Sequence, residues 1–370
     1  MQSLETFFNT VQENDLPFVV YRKPGEKVVK AYFQKDKALH FLKDFDEEGF
    51  VFAPFRTDTP TVLFPLSQLE EVTITSMEAL DVILPQNRTS QETEKQAHIA
   101  LVEKGINTIQ NGDMEKVVLS RKHTIPLKNS NPYEAIVRLL SKYTTAFVYC
   151  WYHPTVGLWL GATPETLLTI KNRQLETMAL AGTKAYTGTL DVNWGEKEKR
   201  EQELVTQAIV SNLNPLLGAN LELEGPVSAK AGNLVHLKTK LTAKLNTTEV
   251  SLKDIVQALH PTPAICGYPR EAAKTFINEN EAYDREYYTG YLGELNMKEI
   301  ASRSKSRRNV ENLAYQTIKK TTSLFVNLRC MQWVDNQATI YVGGGITKGS
   351  DPKKEWEETV NKLQTMLTIL

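Results

Sequence analysis

Cysteine is scarce in this 370-residue sequence: Cys150, Cys266 and Cys330 lie far apart and show no paired spacing. This pattern predicts neither a disulfide framework nor a zinc knuckle, and it is typical of a protein from a reducing cytoplasm. An excess of charge of either sign is also lacking, since 43 basic and 44 acidic residues leave a formal charge of −1. No electrostatic footprint for nucleic acid or an anionic membrane is present, so the expected ligand is a small molecule.

Long apolar runs are missing as well. Residues 1–8 lack the basic start and the apolar stretch of a signal peptide, and no segment approaches the ~20 apolar residues of a membrane span. Hydrophobic residues nevertheless make up 41% of the chain, which is ample for a buried core. We expect a soluble, cytoplasmic protein.

Common catalytic and nucleotide-binding signatures are absent too. The sequence has no Gly-x-Ser-x-Gly elbow and no His-Glu-x-x-His motif, so hydrolase chemistry lacks support. Residues 343–350, Gly-Gly-Gly-Ile-Thr-Lys-Gly-Ser, do not form a Walker phosphate loop because Lys348 precedes Gly349 instead of following it. A tight turn at the three glycines and a backbone anion site remain equal alternatives.

Apolar periodicity and turn residues predict the order of strands and helices. Short apolar runs such as 17–21 and 49–52 predict scaffold strands in the first 85 residues. A helix is predicted to start at Thr89, whose hydroxyl would form a capping box with Glu92, and to stop near residue 111. Further strands are predicted at 116–121, 147–152, 156–161, 166–170, 175–179, 221–224, 236–245, 287–296, 322–330 and 338–342. Further helices are predicted at 195–213, from Ser251 to His260, and at 352–367.

Antiparallel hairpins with segregated helices predict an α+β fold. Regular alternation of strands and helices, repeats of short period and low-complexity linkers are all missing. We therefore expect one domain over residues 1–370, with scaffold strands in 1–90 and the catalytic region in 91–370.

One lysine and one glutamate are a candidate base and acid. Lys116 heads the apolar run 116–121, and Glu165 follows Pro164. A buried lysine can act as a base, and a buried glutamic acid can hold its proton. A lysine before a strand is more often a solvated edge residue, so this pair alone leaves both interpretations open.

Two helices carry acidic faces. Glu198 and Glu201 lie one turn apart on the predicted helix 195–213, and Glu355 and Glu358 do so on the final helix. Each face alone is most often solvated. Together they would supply the oxygen ligands that Mg²⁺ prefers, although the sequence does not show whether they meet.

Arg329 and two histidines complete the candidate polar residues. Arg329 lies in an otherwise apolar predicted strand, where its guanidinium requires either a substrate carboxylate or an internal acid as partner. Residues 260–269 contain three prolines and a glycine, which predict a stiff loop suited to lining a pocket. His236 and His260 lack metal-ligand spacing, so supporting or core roles are favoured over ligation.

Taken in order, these segments resemble the chorismate-utilising enzymes, the family that includes isochorismate, salicylate, anthranilate and aminodeoxychorismate synthases. They are most similar to the isochorismate synthase branch. The resemblance rests on eight segments: 116–121, 161–168, 180–183, the Glu201 helix, 260–269, 283–286, 327–329 and 343–362. It implies two large, mainly antiparallel β-sheets packed as a sandwich, with helices on the outside and an active site in a deep cleft.

The resemblance also implies roles for the candidate residues. Lys116 would be the base that activates water for attack at carbon 2 of chorismate, and Glu165 the acid that protonates the departing 4-hydroxyl. The implied ligands of a Mg²⁺ cofactor are Glu201 and Glu358, supported, in part through water, by Glu198 and Glu355. The expected substrate contacts are Gly182, Thr183, His260, Tyr288, Arg329, Gly344, Gly345 and Lys362.

Departures from ammonia-using relatives favour water as the nucleophile. Ala264 lies in the Pro-Ala pair that replaces their Gly-Thr, and Ala181 replaces the lysine of many aminodeoxychorismate synthases. The inhibitor-binding Leu-Leu-Glu-Ser motif of anthranilate synthases is missing. No glutaminase partner is expected, and the chain should be a monomer. Gln202 and Tyr291 differ from the usual family residues near the substrate.

The implied function is isochorismate synthesis for menaquinone or siderophore biosynthesis, with two alternatives. A salicylate synthase would add pyruvate elimination to the same first step, and the motifs hardly separate the two. A noncatalytic anion- or nucleotide-binding protein built around residues 343–350 would not depend on Lys116.

Overall fold

Two large sheets dominate the structure because much of the chain consists of β-branched and aromatic runs separated by turns. The computed structural model describes residues 2–77, 92–127, 131–231, 234–245, 250–301 and 317–370. The first sheet contains, from edge to edge, β1 (Gln2–Ser3), β7 (Leu69–Ser76), β3 (Lys30–Gln34), β2 (Phe18–Arg22), β9 (Phe147–His153), β10 (Gly157–Thr163), β18 (Cys330–Val334), β19 (Gln337–Thr347), β8 (Lys116–Pro126) and β15 (Gly267–Tyr268). The second contains β13 (Leu221–Ala231), β14 (Leu234–Lys244), β12 (Gln174–Ala185), β11 (Thr166–Lys171), β17 (Thr317–Val326), β16 (Tyr291–Ala301), β5 (Gly49–Ala53), β6 (Val62–Pro65) and β4 (His40–Phe41).

Helices cover these sheets. The described residues form α1 (Leu4–Glu13), α2 (Glu92–Gln110), α3 (Pro132–Lys142), α4 (Glu196–Leu217), α5 (Leu252–Leu259), α6 (Arg270–Asn280) and α7 (Pro352–Leu367). None of these described helices combines the length and the apolar composition that a membrane span requires.

Strand β9 shows how the layers pack. Tyr149 and Trp151 point between the sheets into an aromatic cluster, where the Trp151 and Phe52 ring centroids lie 4.9 Å apart. Val148 and Cys150 face the opposite way and pack with α1 and α3. Both faces of β9 are therefore buried, which explains its uninterrupted apolar sequence. Since α4 and α5 cover the outer face of the second sheet, the predicted α+β sandwich with outer helices is confirmed.

Local signals predict several element ends correctly. The hydroxyl of Ser251 accepts a hydrogen bond from the Asp254 N–H (3.1 Å) and caps α5, and α7 spans the predicted residues. The β11–β12 hairpin turns at Asn172 and Arg173, whose φ angles are 54° and 65°, as expected for a two-residue hairpin loop.

Three predictions about strands are wrong. The turn predicted at residues 343–345 lies inside β19, where these glycines pair with residues 118–120 of β8. The strand predicted at 322–330 is divided, because β17 ends at Val326 and β18 begins only at Cys330. The strand predicted at 287–296 begins at residue 291. Apolar composition does not show where a pairing partner begins or ends.

Three helices, α1, α3 and α6, are not predicted by the sequence patterns. Helix α1 is amphipathic, with Leu4, Phe7, Phe8 and Val11 buried, but its ten residues resemble the neighbouring apolar runs. The predicted helix start at Thr89 lies outside the described residues, in which α2 begins at Glu92.

Candidate active site

A cavity of about 730 Å³ is lined by residues from both sheets, α4 and α7. Its charged lining is balanced, with three basic and three acidic side chains. The site residues predicted from the sequence that line it are Lys116, Glu165, Gly182, Thr183, Glu201, Tyr288, Arg329, Gly344, Gly345, Glu358 and Lys362. The structure thus brings together groups that are far apart in the chain.

Lys116 is the first residue of β8 and is buried, with 1% of its surface exposed. Its strand neighbours are Tyr268 of β15 and Thr347 of β19, so it is not a solvated edge residue. The Lys116 Nζ lies 2.9 Å from Glu201 Oε1. This ion pair fixes the position of the amine in the cavity wall.

Glu165 lies between β10 and β11 and is 4% exposed. Its backbone N–H donates to the Thr163 hydroxyl (3.2 Å), and its carbonyl accepts from the Val326 N–H (3.0 Å). No described side chain forms an ion pair with its carboxyl group. Burial raises the pKa of Glu165 to about 7, against the opposing charges of Lys116 and two other cations, so the carboxyl group can keep its proton near neutral pH.

Each acidic side chain at the α4–α7 end of the cavity has a lysine partner. The pairs are Lys116–Glu201 (2.9 Å), Lys197–Glu355 (2.6 Å) and Lys362–Glu358 (2.7 Å). Lys362 also donates to the Gly343 carbonyl (2.8 Å), which ties α7 to β19.

These carboxylates converge on the glycine backbone of β19. A methyl group at Gly345 would lie 2.4 Å from Glu201 Oε1, and one at Gly344 would lie 3.6 Å from Glu355 Oε2 and 3.7 Å from Glu358 Oε1. A larger residue at position 345 would therefore have to displace the Glu201 carboxylate, whereas a methyl group at position 344 would make only ordinary van der Waals contacts with Glu355 and Glu358. The Gly182 N–H donates to Glu201 Oε2 (3.2 Å) from the other sheet.

The three acids suit Mg²⁺ chemically, since all their donors are carboxylate oxygens. Burial and the neighbouring charge of Glu358 raise the pKa of Glu355, although the positive charge of Lys197 acts in the opposite direction. A divalent cation bound here would reduce the repulsion between the carboxylates. Within the described parts of the chain, however, no three acidic, histidine or cysteine side chains are arranged closely enough to hold a metal ion. In this structure each of the three carboxylates instead forms an ion pair with a lysine.

Glu198 is placed differently from the other predicted ligands. Its Oε2 accepts from the Gly195 N–H (3.0 Å) and caps α4, whereas the other three acids pair with lysines. Like Glu355, it is not part of the cavity lining. Its role in metal binding remains a prediction.

Arg329 occupies the turn between β17 and β18 with a φ of 49°, rather than the predicted strand. None of the described acids lies within ion-pair distance of it, and its nearest side-chain bond goes to the Thr365 hydroxyl at 3.5 Å. Burial lowers the pKa of Arg329, with Tyr143 and Tyr288 among the groups that oppose this shift. The guanidinium thus retains donors for an anionic ligand.

His260 is separated from this cavity. It is buried, packs edge-on against Tyr291 with ring centroids 5.0 Å apart, and lines another cavity together with Arg270. From its loop, only Ala264 and Ile265 line the active-site cavity. This position does not match the substrate contact predicted for His260.

Sequence reasoning assigned no role to Lys197 or Tyr341, and gave His236 only a supporting or core role. Lys197 precedes Glu201 by four residues, a helical spacing that predicts a shared face. Tyr341 lines the cavity and stacks on Tyr288 with ring centroids 5.4 Å apart. Tyr341 and Gly343 are two residues apart in β19 and therefore face the same side of the sheet, a spacing that could have indicated this position. His236 Nδ1 lies 3.0 Å from the Gly182 carbonyl and therefore carries the proton.

A buried ion pair holds β8 against the 260–269 loop. Both carboxylate oxygens of Glu281 accept from Arg285 at 2.6 and 2.7 Å. Arg285 also donates to the carbonyls of Val118 (2.7 Å) and Ile265 (3.0 Å), both of which line the cavity. Ser120 completes the network through its N–H and hydroxyl.

Replacing Arg285 with methionine should lower the free energy of unfolding by about 3–5 kcal/mol, because Glu281 would be left buried without a counter-charge. Urea denaturation of the two proteins measures the difference. Arg200→Met is the matched control: its pair with Glu203 is exposed and should contribute less than about 1 kcal/mol. Equal losses in the two variants would contradict a structural role for the network.

Comparison with known proteins defines the class. A family model described as "Chorismate binding enzyme" matches residues 65–302 and 315–370. The chain belongs to the chorismate-binding enzyme family. This confirms the family predicted from the ordered sequence segments.

Curated relatives carry more specific names. The "Salicylate biosynthesis isochorismate synthase" of Pseudomonas aeruginosa is 29% identical over 75% of this chain and 55% of that protein. "Isochorismate synthase EntC" of Escherichia coli K12 is 30% identical over 80% of this chain and 71% of that protein. The aligned chain thus spans only about half of the Pseudomonas protein's length.

Solved structures share the fold. A putative 2,3-dihydroxybenzoate-specific isochorismate synthase, DhbC, from Bacillus anthracis superposes with a TM-score of 0.73 at 21% identity, covering 95% of both chains. Anthranilate synthase component I from Streptococcus pneumoniae gives a TM-score of 0.65 at 17% identity, covering 95% of this chain and 92% of that one. At these identities the likeness supports the fold alone.

Proposed function

We propose that the protein is a Mg²⁺-dependent isochorismate synthase, which isomerises chorismate to isochorismate. The observation that carries this proposal is the burial of Lys116 and Glu165 in one cavity, at 1% and 4% exposure. Curated relatives named isochorismate synthase support it. Residues 1–370 would act as one domain, in which strands from residues 1–90 complete both sheets.

The proposed reaction adds one water molecule and releases another. Lys116 takes a proton from water as its oxygen bonds to carbon 2, and the double bonds of the ring shift. The bond between carbon 4 and its hydroxyl breaks, and Glu165 gives that hydroxyl a proton so that it leaves as water. A carboxyl group with a pKa of about 7 is suited to this donation near neutral pH.

The remaining lining residues would hold the substrate. Arg329, which has no described acid partner, and Tyr288 would bind the carboxylate of the pyruvyl ether, together with the Gly344 and Gly345 backbone. Gly182 and Thr183 would lie beside the ring and the water.

Glu201 and Glu358 would bind Mg²⁺, with Glu355 and Glu198 supporting them. The bound ion would neutralise the ring carboxylate and stabilise charge along the conjugated path. Lys116, Lys197 and Lys362 would then be released from the acids that they pair with here.

Water is the proposed nucleophile because two residues of the cavity wall differ from those of ammonia-using relatives. Ala181 and Ala264 both form part of its wall, so neither position contributes a lysine or the Gly-Thr pair of ammonia-using relatives. We therefore propose that the chain works without a glutaminase subunit, as a monomer.

Incubating the protein with chorismate and Mg²⁺ and separating the products tests the function. Isochorismate is expected. No isochorismate, or a strict requirement for ammonia, would overturn the proposal, and salicylate fluorescence would instead favour a salicylate synthase. The product would feed menaquinone or siderophore biosynthesis, which gene deletion followed by separate measurement of both metabolites would distinguish.

Removal of metal should abolish turnover, and Mg²⁺ should restore it. Glu201→Ala should weaken Mg²⁺ binding at least about tenfold, since an oxygen ligand is lost, as measured by titration calorimetry. Glu203→Ala on the same helix is the control, because Glu203 is exposed and pairs with Arg200. Unchanged Mg²⁺ affinity in Glu201→Ala would remove Glu201 from the proposed metal site.

A further inference from the structure

A second cavity, here called the basic vestibule, adjoins the active-site cavity. It is open to solvent and contains about 1270 Å³ of empty space between the end of α3, the β12–β14–β13 edge of the second sheet and α7. Pro164, Leu180 and Arg329 line both cavities. The wall between them therefore consists of two apolar side chains and one guanidinium.

The vestibule has a charge of one sign. Lys142, Lys230, Lys238 and Arg329 contribute to its lining, and none of its lining residues is acidic. The active-site cavity, by contrast, balances its basic side chains with Glu165, Glu201 and Glu358. Because the whole chain has a formal charge of −1, the positive vestibule is a local arrangement and does not reflect composition.

None of the acids in the described parts of the chain forms an ion pair with these lysines. The Lys238 amine forms no ion pair or hydrogen bond with the described residues, and the Lys230 Nζ lies 4.0 Å from the Tyr186 ring centroid. Lys142 donates to the Thr368 hydroxyl (2.5 Å). On the same strand as Lys238, the amine of Lys240 forms an ion pair with Glu176 at 2.9 Å. A lysine on this edge of the second sheet can therefore have an acidic partner.

We propose that the basic vestibule is the route by which the dicarboxylate substrate reaches the active-site cavity. This inference rests on the proposed function. A cleft lined by one sign of charge and by low-dielectric walls concentrates ligands of the opposite charge, and both carboxylates of chorismate would be attracted. Arg329, at the inner end, would receive one of them.

The double variant Lys230→Gln/Lys238→Gln tests the route by steady-state kinetics from low to high ionic strength. At low ionic strength kcat/KM should fall roughly tenfold while kcat stays unchanged. At high salt the variant should approach the wild type, because a Debye length of about 3 Å at 1 M screens the vestibule charges. Lys238→Arg, which keeps the charge, should behave as the wild type.

Lys240→Gln/Lys244→Gln is the matched control. It removes the same net charge from positions of β14, the strand of Lys238, that lie outside the vestibule, and its kcat/KM should change less than about twofold. Identical salt profiles for the two double variants, or a loss confined to kcat, would overturn the route. A wild-type protein that does not turn over chorismate would instead refute the proposed function.

Discussion

Replacing Lys116 with alanine should lower kcat for chorismate isomerisation by at least about a hundredfold, because the amine proposed to deprotonate water is lost. The Lys116 side chain is only 1% exposed, so bulk water does not easily replace it as a base in the cavity wall. Steady-state assays with chromatographic detection of isochorismate measure the effect. Mg²⁺ binding should remain nearly intact.

Two variants separate the loss of the base from the loss of structure. Lys116→Gln can still donate a hydrogen bond to Glu201, yet it should lose as much activity as the alanine variant because an amide does not accept the proton. Lys122→Ala, at an exposed position of the same strand, should be close to the wild type. If Lys116→Ala retained activity within tenfold of the wild type, a base at this position would be excluded, and the noncatalytic binding alternative would gain support.

Glu165→Gln should lower kcat by at least about a hundredfold, since the amide is too weak an acid to protonate the leaving hydroxyl. The glutamine has nearly the same shape, so chorismate affinity should change little. Comparison of kcat with the dissociation constant for chorismate separates the two effects.

The pH dependence gives a second test of Glu165. Burial raises the pKa of this carboxyl group to about 7, so the protonated, donating form predominates below pH 7 and is lost as the pH rises through that value. The rate should therefore fall above about pH 7 in the wild type, and this alkaline limb should disappear from the residual activity of Glu165→Gln.

Glu222→Gln, at an exposed position of β13, should keep both the wild-type rate and the wild-type pH profile. An unaltered alkaline limb in Glu165→Gln would assign that limb to another group. Full activity in Glu165→Gln would leave the proposed acid without support.

Helix ends were predictable where the signal lies within a few residues. Ser251 caps α5 through a bond to the N–H three residues on, and Asp351 caps α7 through the N–H groups of Lys353 and Lys354. Such bonds depend on local sequence only. The strands predicted at 166–170 and 175–179 likewise placed the β11–β12 turn correctly between them.

Strand limits around the site were not predictable in this way. The three glycines of β19 have turn-like composition, yet the long pairing with β8 keeps them extended, and the approach of the Glu201 carboxylate explains the need for glycine at residue 345. Arg329 was expected in a strand because its neighbours are apolar. Its left-handed backbone reflects the passage of the chain between the two sheets.

The sequence by itself determined the family, the α+β class and the identity of the candidate acid and base. Ordered motifs and local capping or hairpin signals can be read from the sequence without knowing which residues are in contact. Only the tertiary structure decided that Lys116, Glu165 and Glu201 share one cavity, and that His260 lies in another. It also decided that Lys116 is buried, that the pKa of Glu165 is raised, and that lysines without a described acidic partner line a second cavity together with Arg329. These properties depend on desolvation and on charges contributed by distant segments, which no local pattern in the chain contains.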